Sequence, residues 1–493
     1  MAFLVVDYGS SSCRAATVSS HGHLLSMSRV PVALTITGDR TGQAATVDVD
    51  RAWSAVCRAI TEQRRVCREP IDAVAVAAVM AYVCSDGAFE PLLPALTYAD
   101  TRSAGHATEL ESLIGREHAW RVTGRRCRGD LLAPRLRWLR ASYPDLFGRI
   151  QHVLGLKDEF VRRLTGVLCT DYAHADYTFC FSPATRRFEA DLCELAGVSE
   201  QVFAPVRSAE ECAGTLVSGV AARLGLEAGT PVVVGSSDGT TAMYGCGVLN
   251  GDPVMVCGTT DTLMQRIDRL PAAESPQAGS LALTINTAMQ GEGYLAGGAT
   301  GTSGSALLRA AELTGTDAAG IESLLQKAPP GADGVVALPG FTGERAPYWD
   351  SSISAGFVGL AMEHKPEHLL RAVAESAAYR LRRLLTELAQ VAPRRPQLVI
   401  AGGGAQSSVH NQIRSDILGV PLARPRQIES TIIGSAMYCR VAVDEGTALS
   451  ELGQDWIDIA DHWQPDTAHA GAYAAGFARF ERVLGLLGEG HAR

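Results

Sequence analysis

VVDYGSSSCRAATV (residues 5–18) and VMVCGTTDTLMQRI (residues 254–267) share one pattern: an apolar strand, a glycine, two hydroxyl residues and a second strand. Gly9, Ser10 and Ser11 fall on Gly258, Thr259 and Thr260 in order. An internal repeat at this separation predicts two domains of like topology, each opening with a β-hairpin. Glycine removes the Cβ that blocks close approach, so backbone N–H groups and hydroxyls at such a turn can form an anion-binding concavity suited to phosphate oxygens. Asp7, just before the first turn, is placed to hold a hydrated divalent cation such as Mg²⁺, which uses one or two carboxylates. Arg14, just beyond it, can reach the same phosphates. An ordinary Gly/Ser hairpin fits one copy equally well; the second copy weighs against that reading.

Working outward, CRAATVSS, a turn at HGH and LLSMSRVPV continue the first hairpin as a meander. AVAVAAVM near residue 75, PVVVGSS near 231, VVALPG near 335 and QLVIAGGG near 397 look like buried strands. Helical patterns such as residues 50–66 and 367–391 fall between them, which predicts an α/β architecture. Gly, Asn and Pro cluster in YGCGVLNGDP, so the boundary is expected there: an N-terminal domain over 1–248, a C-terminal domain over 249–445 and a helical extension over 446–493. Two domains predict a cleft.

Lys plus Arg number 44 and Asp plus Glu 53, a net charge of −9 that lacks the basic footprint of a nucleic-acid binder. Twelve cysteines without a CxxC pair fit neither a disulfide framework nor a zinc site. Asp7 interrupts the N-terminal apolar run, and residues 73–84 are too short to span a bilayer. A cytoplasmic protein without membrane or nucleic-acid partners is expected, with a homodimer left open. His364 and His368 lack a third ligand, so no metal site is expected there.

Four further clusters bear on chemistry. GSSDGTTAMYG (residues 235–245) follows the PVVV strand and places Asp238 where α/β sheets put ligands. Its carboxylate can act as general base towards a hydroxyl, or cap the following helix. AGGGAQSS (residues 401–408) puts Gly402, Gly403, Gly404 and Ser407 between a strand and a helix, where bare backbone can meet a flat ligand or phosphate. GATGTSGSA (residues 298–306), containing Gly304, resembles another loop before a helix. In FTGERAPYWD (residues 341–350), Glu344 and Arg345 are expected to pair with each other.

In this order and spacing the segments resemble the FGGY carbohydrate kinases, which act on xylulose, ribulose, glycerol and related compounds. VVDYGSSSCR resembles the family's first phosphate hairpin, KDEFVRRLTG and TDYAHAD its middle region, and VCGTTDTLM its second phosphate loop. GERAPYWDSSISAGFVGL with HLLRAVAESAA resembles the C-terminal signature, and AGGGAQSSVHNQIRSDILGVPL the adenine-nucleotide loop. The resemblance implies two ribonuclease-H-like (actin/Hsp70-type) domains flanking a catalytic cleft, with ATP and Mg²⁺ as cofactors. It implies Asp238 as catalytic base and Asp7 near the metal. Gly9, Ser10, Ser11, Arg14, Gly258, Thr259, Thr260, Gly304, Gly402, Gly403, Gly404 and Ser407 would face ATP. The partner would be a small sugar or polyol, met by Met80, Tyr98, Asp100, Arg102 and Asp238. A sugar-binding pseudokinase and an actin- or Hsp70-like non-kinase ATPase are the alternatives.

One departure concerns the acceptor. Where many xylulose-type members carry Gln-Met-His-Gly, this chain has Ala78-Val79-Met80-Ala81. Where they carry Trp-x-Asp-x-Arg, it has Tyr98-Ala99-Asp100-Thr101-Arg102. Losing an imidazole and an amide leaves substrate hydroxyls unpaired, at roughly 1–3 kcal/mol each. A less hydroxylated or differently substituted polyol is therefore expected rather than xylulose.

Overall fold

The computed structural model describes residues 1–38, 42–271, 282–291, 293–341, 343–350, 353–444 and 446–490. The boundary drawn at residue 445, the tail residues 491–493, and Thr342, Ser351 and Ser352 of the quoted motifs lie outside the described residues. Strand Ala2–Tyr8 is buried along its whole length because it is central. It runs antiparallel to Ser12–Ser19 and parallel to Ile71–Ala78. Leu4, Val6 and Tyr8 face a core shared with Val56 and Ile60 of helix Val49–Val66 and with Phe160 and Leu164 of helix Leu156–Thr165. Phe3 and Val5 face a second core. Both faces are covered, so residues 2–6 are apolar without alternation until Asp7 ends the run.

The sheet runs Cys212–Thr215, Pro231–Val233, Ile71–Ala78, Ala2–Tyr8, Ser12–Ser19, Leu24–Pro31. A seven-stranded sheet repeats the arrangement around Val254–Cys257, which is antiparallel to Thr260–Ile267 and parallel to Leu398–Ala401. Counted along the chain, the first sheet's strands lie fifth, sixth, fourth, first, second, third and the second sheet's third, fourth, second, first, fifth, sixth, seventh. The halves thus share a first strand flanked by its antiparallel hairpin partner and by a parallel strand. The repeat slips by one residue after the turn. Tyr8 pairs with Cys13 across a four-residue loop, whereas Cys257 pairs with Asp261 across a three-residue loop.

Three expectations change. VVALPG supplies a buried strand, Val336–Leu338, but it pairs only with Gly356–Val358 outside the main sheets. Residues 298–302 of GATGTSGSA are not a loop; they finish strand Tyr294–Thr302, held by the register with Thr260–Ile267. The tail is not wholly helical: between helices Leu449–Trp456 and Ala470–Gly490, strand Ile459–Trp463 joins the sheet edge beside Leu422–Pro425. Among the described residues, no helix is long and apolar enough to cross a membrane.

Helix Ser430–Val443, late in the chain, covers the open face of the first sheet. Its Ile432, Ile433, Ala436 and Met437 share a core with Phe3, Val5, Ala73 and Val233. It crosses helix Asp238–Tyr244 with almost no separation. A Cβ on Gly245 would stand 1.9 Å from the Ser430 carbonyl oxygen, and one on Gly434 would stand 2.2 Å from that of Thr241. Both obstacles are backbone and cannot swing aside. Gly245→Ala is expected to cost about 2 kcal/mol or more through forced separation of the helices, read as a lowered urea midpoint at unchanged m-value.

Candidate active site

The two hairpins bring their tips to the surface: Ser10, Ser11, Gly258 and Thr259 are exposed, and Gly9 and Thr260 half-buried. Beneath the first tip, Asp7 is fully buried. One of its carboxylate oxygens pairs with Arg14, and the other, Oδ1, is buried with no hydrogen-bond partner among the described residues. Burial pushes the Asp7 carboxyl up to about 6 against the opposing pull of Arg14. An orphaned carboxylate oxygen is what a hydrated Mg²⁺ would satisfy, so the site fits the implied metal. Arg14 is not free: it spans Asp7 and Glu429, the residue that starts helix Ser430–Val443. That helix directs its positive N-terminal end at the same place.

Asp238 is the first residue of its helix and not the cap. Ser237 takes that role, accepting from the Thr240 N–H, while Asp238 Oδ1 accepts from Gly239 N–H at 2.7 Å. The Asp238 residue is half-buried. Burial raises its carboxyl above the usual range, offset in part by the Gly239 N–H and Arg14. Below it lies a buried ion network. Lys157 Nζ contacts Asp158 at 2.6 Å, Asp171 at 3.2 Å and the Val234 carbonyl at 2.9 Å. Asp171 also accepts from Ser236 Oγ at 2.5 Å and lies 2.6 Å from His174 Nδ1. Asp158, Asp171 and His174 have ligand-like spacing, but the Lys157 ammonium already supplies the cation. The network anchors residues 234–236, from which Asp238 projects.

In the second half, Gly304 N–H donates to the Gly258 carbonyl at 3.2 Å and Ser303 N–H to that of Thr259 at 2.9 Å. Gly402 and Gly404 abut Cys257 at the foot of the same hairpin, and Gly403 is open. Buried Arg414 ties the two together, donating to the Gly404 carbonyl at 2.9 Å and to Asp261 at 3.3 Å. Ser407 caps helix Ser408–Leu418 and donates to Glu322 at 3.1 Å.

On the other side, Tyr98 N–H donates to the Met80 carbonyl at 3.0 Å. The Asp100 carboxylate is buried and committed to Arg102 at 2.6 Å and to Ala45 N–H, while Arg102 stacks on Trp138 at 4.2 Å. The expected Glu344–Arg345 pair does not form. Glu344 is buried against Arg380 at 3.1 Å, and Arg345 points the opposite way, crossing between the halves to Asp130 at 2.8 Å. Neighbours on a loop face opposite sides, which the one-dimensional pairing ignored.

Models of the FGGY family of carbohydrate kinases match residues 2–245 with its N-terminal domain and 254–443 with its C-terminal domain. The chain belongs to the FGGY family of carbohydrate kinases. A gluconokinase of Bacillus subtilis is 23% identical over 467 residues, covering 91% of this chain and 90% of its own. An autoinducer-2 kinase of Salmonella typhimurium is 27% identical over 507 residues, covering 97% and 93%. The crystal structure of a ligand-bound xylulose kinase from Lactobacillus acidophilus superposes with a TM-score of 0.90 at 21% identity, covering 99% of this chain and 98% of that one.

The reading of this FGGY kinase from sequence overlooked Glu429, Arg414, Lys157, Arg128 and Asp130. Of these only Lys157 carried a signal, as the first of three consecutive charges, Lys157, Asp158 and Glu159, set between Leu156 and Phe160 at the start of helix Leu156–Thr165. Lys157→Met would leave Asp158 and Asp171 buried without their cation. The expected cost is about 3–5 kcal/mol, measured by chemical denaturation, with Lys157→Arg recovering only part of it.

Proposed function

We propose that this chain transfers the γ-phosphoryl group of ATP to a hydroxyl of a small sugar or polyol, with Asp238 as general base. The observation that carries the reading is that Arg14 bridges Asp7 and Glu429 while Thr431, two residues beyond Glu429, donates to the Asp238 carbonyl at 3.4 Å. These contacts gather the three acids at the carboxyl ends of the first sheet's parallel strands. Open α/β sheets bind ligands there. The exposed turns Gly9–Ser11 and Gly258–Thr260 would receive the phosphates. Gly304 serves the second turn from behind, through its N–H on Gly258, and Gly402–Gly404 would face the nucleotide beyond it. Arg14 would orient Asp7 and stand by the phosphates without leaving its carboxylates. Mg²⁺, when bound near Asp7, supplies charge neutralisation of the phosphate oxygens.

Phosphoryl transfer asks mainly for positioning and charge stabilisation. Asp238 accepts the proton of the acceptor hydroxyl as its oxygen bonds to the γ-phosphorus, and the bond to the bridging oxygen breaks to release ADP. A raised carboxyl pKa brings Asp238 nearer to working pH, where a base is most effective. Tyr98 and Met80 would form the acceptor's wall, with Asp100 holding Arg102 in place behind it.

Asp238→Asn is expected to lower acceptor-dependent ADP release by about 10²- to 10⁴-fold while ATP still binds, read by coupled assay and calorimetry; turnover at the parent rate would remove the base from the scheme. The base must be ionised, so activity falls as pH drops through its raised pKa. The acidic limb of kcat/KM is therefore expected above the ordinary aspartate value of about 4 and should vanish in Asp238→Asn.

A further inference from the structure

Asp130, on the N-terminal half, carries more donors than one carboxylate oxygen can hold well. Its Oδ2 accepts from Arg128 Nη2 at 2.9 Å, Tyr177 OH at 2.6 Å and Arg345 Nη2 at 2.8 Å, while Oδ1 accepts from Arg128 Nε at 2.8 Å. An oxygen offers two lone pairs in the carboxylate plane, so one of the three donors is weakly held. Arg128 is fixed by its two-pronged grip and by the Trp349 ring, 4.9 Å from its guanidinium carbon. Arg345 has a single contact to Asp130 and keeps 24% of its side chain exposed. Two guanidiniums therefore share one carboxylate, leaving a net positive charge.

Of the nearby cations, Arg102 is matched by Asp100 and Arg125 by Asp176 at 3.9 Å, while buried Arg135 donates to the Leu96 and Thr97 carbonyls and adds to the positive charge. The cluster borders the acceptor side of the site: Tyr98 and Tyr177 pack against the apolar cluster that contains Met80, and the Tyr177 hydroxyl holds Asp130. Beside Tyr98, Ala78 and Met80 are buried and bring no hydrogen-bonding side chain where xylulose-type members have an amide and an imidazole. That wall is poor in partners for hydroxyls, while the neighbouring cluster holds an under-neutralised guanidinium.

We propose that the acceptor is a polyhydroxy acid whose carboxylate is received by Arg345, with Arg128 alongside, while a hydroxyl faces Asp238; this rests on the kinase reading above. A guanidinium binds a carboxylate through two parallel N–H donors, a geometry that a neutral alditol or ketose cannot reproduce. Because Arg345 comes from the C-terminal half and Asp130 from the N-terminal half, the acid also recruits a residue from across the domain boundary. Arg345 is thus a specificity-determining residue.

The test compares purified enzyme on chain-matched aldonates, alditols and ketoses of four to six carbons with saturating MgATP, following ADP release. At least one aldonate is expected to exceed its matched alditol and ketose in kcat/KM by about tenfold or more, the worth of a charge-assisted pairing. Arg345→Gln should collapse that ratio mainly through KM for the acid, leaving KM for ATP in place, and Arg345→Lys should restore part of it. Neutral compounds turned over as well as the acids, or a ratio unmoved by Arg345→Gln, would overturn the proposal while leaving the kinase reading standing. ADP release with none of the compounds, despite ATP binding, would overturn both. The wild-type series decides the matter even if a variant fails to fold.

Discussion

Two helices, Asp238–Tyr244 and Ser430–Val443, touch backbone to backbone at Gly245 and Gly434, and the arrangement of charges around the site follows from that contact. The second helix comes from the C-terminal half yet lies on the first sheet, so its start delivers Glu429 to Arg14 and through it to Asp7. The first helix starts at Asp238, and the Thr431 hydroxyl meets the Asp238 carbonyl at 3.4 Å. Side chains between the helices would spread their starts and pull Glu429 away from Arg14. The glycines fix the distance between a candidate base, a candidate metal ligand and the domain boundary at once.

Charge burial around the site is costly, and the chain meets the cost with dense pairing. Lys157 serves two carboxylates and a carbonyl, Arg414 joins a hairpin acid to a loop carbonyl, and Arg380 lies on Glu344. Buried pairs of this kind contribute little net stability compared with apolar packing, but they define one arrangement sharply because removing one partner strands the other. Two departures at the site differ in kind: Asp7 Oδ1 is buried without a hydrogen-bond partner among the described residues, whereas Asp130 Oδ2 is shared among three donors.

The fold was largely legible because the first strand of each hairpin is central and, Asp7 apart, apolar, and because a glycine-hydroxyl turn repeated 249 residues later. Asp238 was legible as a carboxylate following a buried strand. Less was visible where function depends on contacts far apart in the chain. The Arg14–Glu429 pair spans 415 residues and the Arg345–Asp130 pair 215, and no local pattern encodes either. Local inference failed most plainly at Glu344 and Arg345, since adjacent residues on a turn diverge to different partners. The tail was misread because Ile459–Trp463 is a short strand whose alternate residues Ala460 and His462 are exposed, which leaves little apolar pattern to mark it.

That edge strand bears on how the polypeptide matures on the ribosome. The seven-stranded sheet keeps Leu422–Pro425 as a raw border until residues 459–463 have been synthesised and laid against it. An uncovered border offers N–H and C=O groups to any neighbouring chain. Polypeptides lacking residues 459–463 would thus leave Leu422–Pro425 as an adhesive border, whereas in the folded chain the border moves out to Ile459–Trp463.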